Sequence, residues 1–117
     1  METFKVTRVY ADEQGESRFD ELHYPLTNGG PIGHLSEKVQ VKEILFRKVP
    51  AGYNDLHNAP ARQYVVLLDG GVEIETSTGD KRTFAPGEVL LMEDTIGKGH
   101  RSSNLQPKER SSLFIIF

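Results

Sequence analysis

The chain has no cysteine. That excludes a disulfide framework, a thiol nucleophile and any thiolate metal site, and it fits a reducing compartment. It also lacks a basic stripe: 14 Lys and Arg are scattered among 17 Asp and Glu, for a net charge of −3. Nucleic acid is therefore not expected as a partner, because neutralising phosphates needs clustered positive charge. No apolar run approaches the roughly 20 residues of a membrane span. The start, Met1-Glu2-Thr3-Phe4-Lys5, has neither the basic residues nor the apolar stretch of a signal peptide. These absences together lead us to expect a soluble, cytoplasmic protein with no membrane partner. Phosphate-loop and dinucleotide fingerprints are missing too, since Gly97-Lys98-Gly99 is a single isolated Gly-x-Gly. Ser102 and Ser103 follow His100 without the strained turn that exposes a nucleophile.

Helical periodicity is weak throughout, and what stands in its place has period two or consists of short apolar runs between turns. Lys5 to Tyr10 reads as a first strand, and Phe19 to Leu26 as an irregular second one. A turn cluster, Thr27 to Gly33, precedes a long strand candidate from Val39 to Val49, closed by Pro50-Ala51-Gly52. Gln63 to Leu68 is apolar and β-branched enough for a buried strand, and Asp69-Gly70-Gly71 reads as a hairpin turn. Val72, Ile74 and Thr76 alternate with Glu73 and Glu75, so one face is buried and the other solvated. Lys81 to Phe84 and Glu88 to Met92 flank Ala85-Pro86-Gly87, and Leu113 to Phe117 forms a last strand. Strands at this spacing indicate an all-β sandwich or barrel, mainly antiparallel. With 117 residues and no linker-like stretch, a single domain over 1–117 is expected. The last strand is apolar on both faces, and an uncovered strand of that kind invites pairing. It is expected either to be covered within the monomer or to join the N-terminal strand in a homodimer interface.

Two segments carry the functional signal. The first holds Gly52, His57, Ala59, Gln63 and Gly70; the second holds Gly87, Thr95, Gly97, His100 and Asn104. Their order and spacing resemble the two motifs of the cupin superfamily. The family pattern has a second histidine where Ala59 stands, a glutamate where Gln63 stands and a proline where Thr95 stands. The first interval is one residue short, and two residues are inserted before Thr95. The resemblance implies a single cupin-like jelly-roll β-barrel with His57, Gln63 and His100 facing one pocket. The residues alone do not dictate that placement, because His57 and Gln63 lie on either side of Pro60.

In metal-dependent cupins three histidines and a glutamate hold the ion. Here the resemblance implies a divalent metal, Fe, Zn, Ni or Mn, held by His57, His100 and Gln63 or a nearby carboxylate. Imidazole suits such ions, whereas an amide oxygen brings no charge. Asp94, His34, Arg62 and Asn104 are further pocket candidates. Related proteins include dioxygenases and isomerases, so one expectation is a small metal-dependent enzyme acting on an organic molecule. The departures at Ala59 and Gln63 favour a second, a metal-free module that binds or senses a small molecule through hydrogen bonds. A third is a structural dimer with an inert pocket.

Overall fold

The computed structural model describes residues 2–117; Met1 of the expected domain lies outside the described residues. It contains twelve strands, no α-helix among those residues and one 3-10 turn at Gly30–Ile32. The expected class, all-β and mainly antiparallel, is the one observed. Six strands form the larger sheet: β1 (Thr3–Ala11), β2 (Ser17–Pro25), β5 (Glu43–Val49), β7 (Gln63–Leu67), β10 (Val89–Met92) and β12 (Arg110–Ile116). They lie in the order β2-β1-β10-β7-β12-β5. Only β1 and β10 run parallel within it. The smaller sheet orders β6 (Asn54–His57), β11 (His100–Asn104), β8 (Val72–Thr76) and β9 (Lys81–Phe84). The short strands β3 (Thr27–Asn28) and β4 (His34–Leu35) pair on their own.

The side-chain period of two decides what faces what. In β7, Gln63, Val65 and Leu67 share one face and Tyr64 and Val66 the other. The inner face meets the smaller sheet. Val9, Val65, Leu67, Leu90 and Met92 of the larger sheet pack against Val72, Ile74 and Phe84 of the smaller one, with Ala59 between. Each such side chain, fully buried, contributes about 1.5–3 kcal/mol. On the outer face Val6, Tyr64 and Leu91 form a second cluster beneath Leu22, Tyr24, Val89, Ile115 and Phe117. The larger sheet is therefore apolar on both sides, which explains the unalternating runs of β10 and β12.

Several elements depart from the sequence expectations. Asp69-Gly70-Gly71 is not a hairpin turn. It carries the chain from β7 in the larger sheet to β8 in the smaller, and Ala85-Pro86-Gly87 carries it back from β9 to β10. The strand expected at Val39 begins only at Glu43, and the last strand reaches back to Arg110. β12 is no uncovered edge: β7 pairs it on one side and β5 on the other. The free edges of that sheet are β2 and β5, and β5 exposes Ile44, Leu45 and Phe46. The sequence reading contained neither β6 nor β11, and these two bring the histidines together. No helix of the described residues is long and apolar enough to cross a membrane.

Candidate functional site

β6 and β11 pair antiparallel with His57 opposite His100. The same pairing sets Asp55 opposite Ser102. Gly99 makes the close entry of β11 possible. It has φ +76°, and a Cβ there would lie 2.6 Å from the His57 carbonyl oxygen, so no L side chain fits. The two imidazole rings meet edge to face with centroids 4.7 Å apart.

His100 is 2% exposed, and the Asp94 carboxylate behind it is fully buried. Asp94 Oδ2 lies 2.5 Å from His100 Nδ1. The Asp94 segment is itself tied down, because its carbonyl accepts from the Ala59 amide and from the Asn58 side chain, both at 3.2 Å. With Nδ1 engaged, Nε2 is the ring nitrogen left for any ligand, the arrangement by which a carboxylate fixes imidazole orientation. His57 is less enclosed. Asp55 Oδ2 approaches its Nδ1 to 3.1 Å but outside hydrogen-bonding geometry, so that nitrogen has no hydrogen-bond partner. Burial first, then the neighbouring His100, push the His57 imidazole below its ordinary value, outweighing Asp55 and Asp94. His57 is thus mostly neutral at pH 7.

Both rings line a cavity of about 50 Å³ between the two sheets. Its floor is aliphatic, from Val65, Leu67, Val72, Ile74 and Leu90, with Gln63, Ser102, Tyr53, Arg47 and Arg110 supplying polar groups. The space is room for a few waters or a small ligand, well below the ~300–1,000 Å³ that encloses drug-sized molecules.

His57, Gln63 and His100, expected in one pocket, do share this cavity. Asp94 stands behind it and orients His100. Asn104 is outside the lining and instead accepts the Arg110 Nε–H at 2.7 Å, while its own amide donates to the Pro50 carbonyl at 3.0 Å. Two candidates fall elsewhere. His34 sits on β4, exposed, 3.4 Å from Glu2. Arg62 is paired with Glu93, which also takes Arg8, and lies over the Phe117 ring outside the cavity.

Arg110, Arg47 and Tyr53 were not among the sequence candidates. Arg110 is only 4% exposed, its Nη1 has no partner, and the side chain bound to its Nε is a neutral amide. Burial and the charge of Arg47 both work against its protonated form, yet guanidinium remains a cation in proteins. Arg47 lies over the rings of Phe114 and Tyr53, at 4.8 and 5.4 Å from their centroids. The signal in the sequence was a parity: Arg110 and Ser112 occupy the inward positions of β12, in line with Phe114.

The donors for a divalent ion are two imidazoles and an amide, with no carboxylate among them because Asp94 is engaged by His100. Among the described residues no group of three or more His, Cys, Asp or Glu is placed to hold a metal ion. Two arginines in the same cavity add positive charge, so the set is a poor match to a divalent cation. No protein-family model matches the chain, and no curated protein matches it.

Proposed function

We propose that the protein is a small-molecule-binding domain of the cupin type, with its site in the cavity between the sheets and its ligand held directly by side chains. One observation carries the reading: two buried polar atoms without partners, His57 Nδ1 and Arg110 Nη1, belong to residues that line this cavity, while Asp94 Oδ1 and Ser112 Oγ, also unpartnered, lie behind the lining. Leaving such a group unsatisfied costs about 1–3 kcal/mol, and folded proteins leave few of them. A molecule bound in the cavity would offer such groups a partner. The cupin assignment is supported by the two facing sheets and by the convergence of His57, Gln63 and His100 from separate motifs. His100, oriented by Asp94, also offers a positioned proton acceptor of the kind used in isomerase chemistry.

The test is NMR of the imidazole nitrogens in EDTA-treated protein, titrated with organic molecules of a few heavy atoms. Saturable shifts at both His57 and His100 are expected. If no compound moves either ring while the fold stays intact, the reading fails and an inert pocket replaces it.

A second reading keeps a divalent ion, Fe, Zn, Ni or Mn, on His57, His100 and Gln63. The 4.7 Å separation of the two rings favours it, since both could reach one ion. Protein purified without chelator would then carry one equivalent, lost when both histidines become Ala. Metal far below one equivalent and unchanged by that substitution sinks it.

A further inference from the structure

We infer that the cavity's ligand is a small aliphatic carboxylate, its anionic group taken by Arg110 and its hydrocarbon part lying along the aliphatic floor. This rests on the cavity being the binding site. Charge points to an anion. Buried arginines are almost never left without an acidic partner. Arg110 is buried, its Nη1 is unpartnered, and Asn104 on its Nε is neutral. Arg47 adds a second guanidinium to the same lining. The carboxylate whose charge reaches Arg110 is Asp69, which is exposed, accepts the Ser111 N–H and makes no ion pair with the guanidinium; Asp94 is engaged with His100 and Glu93 with Arg8 and Arg62.

The seat of Arg110 is built into the fold. The fold makes room for Arg110 at two motif positions, Gly70 and Asn104. Gly70 has no positive φ; what it supplies is space, since a Cβ there would lie 2.6 Å from the Arg110 Cβ. Asn104 spans from the Pro50 carbonyl to the guanidinium and fixes its direction. A buried cation so seated, with donors left over, is built to receive an acceptor.

Polarity also changes along the cavity. On the larger sheet β12 and β7 pair Ile116 with Gln63, Phe114 with Val65 and Ser112 with Leu67. Arg110 lies one inward position beyond, opposite Val49. Arg110 and Gln63 are therefore at opposite ends, with aliphatic side chains between. Met92 pairs with Gln63, and the chain runs from Met92 through Asp94 to His100, so the imidazoles belong to the Gln63 end. A ligand with one planar anionic group and a short hydrocarbon body matches this sequence of cation, floor and imidazole.

The experiment compares acids with their isosteric amides at fixed ionic strength: acetate, propionate and lactate against acetamide, propionamide and lactamide, with sulfate alongside. Binding is followed at the Arg110 Nε–H and the His100 ring by NMR. Each acid is expected to bind at least about tenfold tighter than its amide, the scale of one charge-assisted hydrogen bond. In Arg110→Gln the acids fall to the affinity of the amides. Should that variant not fold, Arg47→Gln and Asn104→Ala are expected to weaken the acids several-fold while leaving the amides unchanged. Amides binding as well as acids would overturn the carboxylate assignment and leave the cavity as the site. Acid binding indifferent to all three substitutions, or sulfate binding tighter than every acid, would also overturn it. No shift at His100 with any probe would overturn both this inference and the site itself.

Discussion

The two ends of the cavity handle buried polarity in opposite ways. At the imidazole end a titratable ring is given a buried carboxylate, and the pair closes on itself: His100 on Asp94 at 2.5 Å. At the other end a permanent cation is given a neutral amide and the face of Tyr53, and one of its nitrogens is left without a partner. The first arrangement pairs its two groups within the protein, with Asp94 Oδ1 left over, and serves orientation. The second is incomplete within the protein and calls for something from outside. Stability and binding are therefore expected to separate: loss of Asp94, behind the cavity, should act mainly on folding, and substitutions at the Arg110 end mainly on ligand affinity.

The largest expected effect tests the closed end. Asp94→Ala removes the partner of a buried imidazole and leaves its Nδ1 unsatisfied, at a cost of about 2–4 kcal/mol in denaturant unfolding. A loss below about 1 kcal/mol would mean that the pair does not anchor β11, and the contrast between the ends would collapse.

Next in size is a matched pair of glycine substitutions. In Gly70→Ala the new methyl meets Arg110, and in Gly71→Ala it meets the Leu105 side chain at 2.6 Å and the Phe84 carbonyl at 2.7 Å. Each is expected to cost about 1–3 kcal/mol by overpacking. Only Gly70→Ala should also weaken propionate binding, because only it displaces the guanidinium. Equal effects of the two on propionate would break the link between Gly70 and the anion site.

The smallest effect is one of pH. The folded state holds the His57 imidazole below its ordinary value, so the unfolded chain takes up its proton first on acidification. Stability from this group is complete above about pH 6.5 and declines as pH falls from there toward the lowered folded value. His57→Gln should flatten the stability profile on the acid side of about pH 6.5, a small effect given its partial exposure. An unchanged slope would show that His57 does not sit in the desolvated environment described. Carboxylates held low, such as Glu93 beside Arg62 and Arg8, act at more acid pH and do not confuse the window.

This contrast also marks what the sequence could reveal. The apolar strands were legible because burial writes itself as β-branched runs and alternation, and β7, β8 and β10 appear where expected. β6 and β11 were not, because Asn-Asp-Leu-His and His-Arg-Ser-Ser-Asn carry polar groups toward the cavity and so lack the alternation that marks a strand. His57, Gln63 and His100 were found through their spacing relative to glycines and Asn104. Arg110 was missed because its burial depends on contacts from β5, the Gly70 turn and Asn104, all distant in sequence. Gly70 and Asn104 were noticed as motif positions, but their shared role in seating Arg110 exists only once the sheets face each other. The Asp69-Gly70-Gly71 turn misled for a related reason: local turn chemistry is the same whether the next strand pairs back or crosses to the other sheet.

The central claim is that the unpartnered Arg110 end of the cavity receives a carboxylate, and a crystal structure grown with saturating propionate tests it most directly. The account expects propionate in the cavity with its carboxylate within hydrogen-bonding distance of Arg110 Nη1 and its ethyl group against Val65, Leu67 and Ile74. A cavity without propionate, or propionate bound only at the surface while Arg110 stays unpartnered, would contradict it.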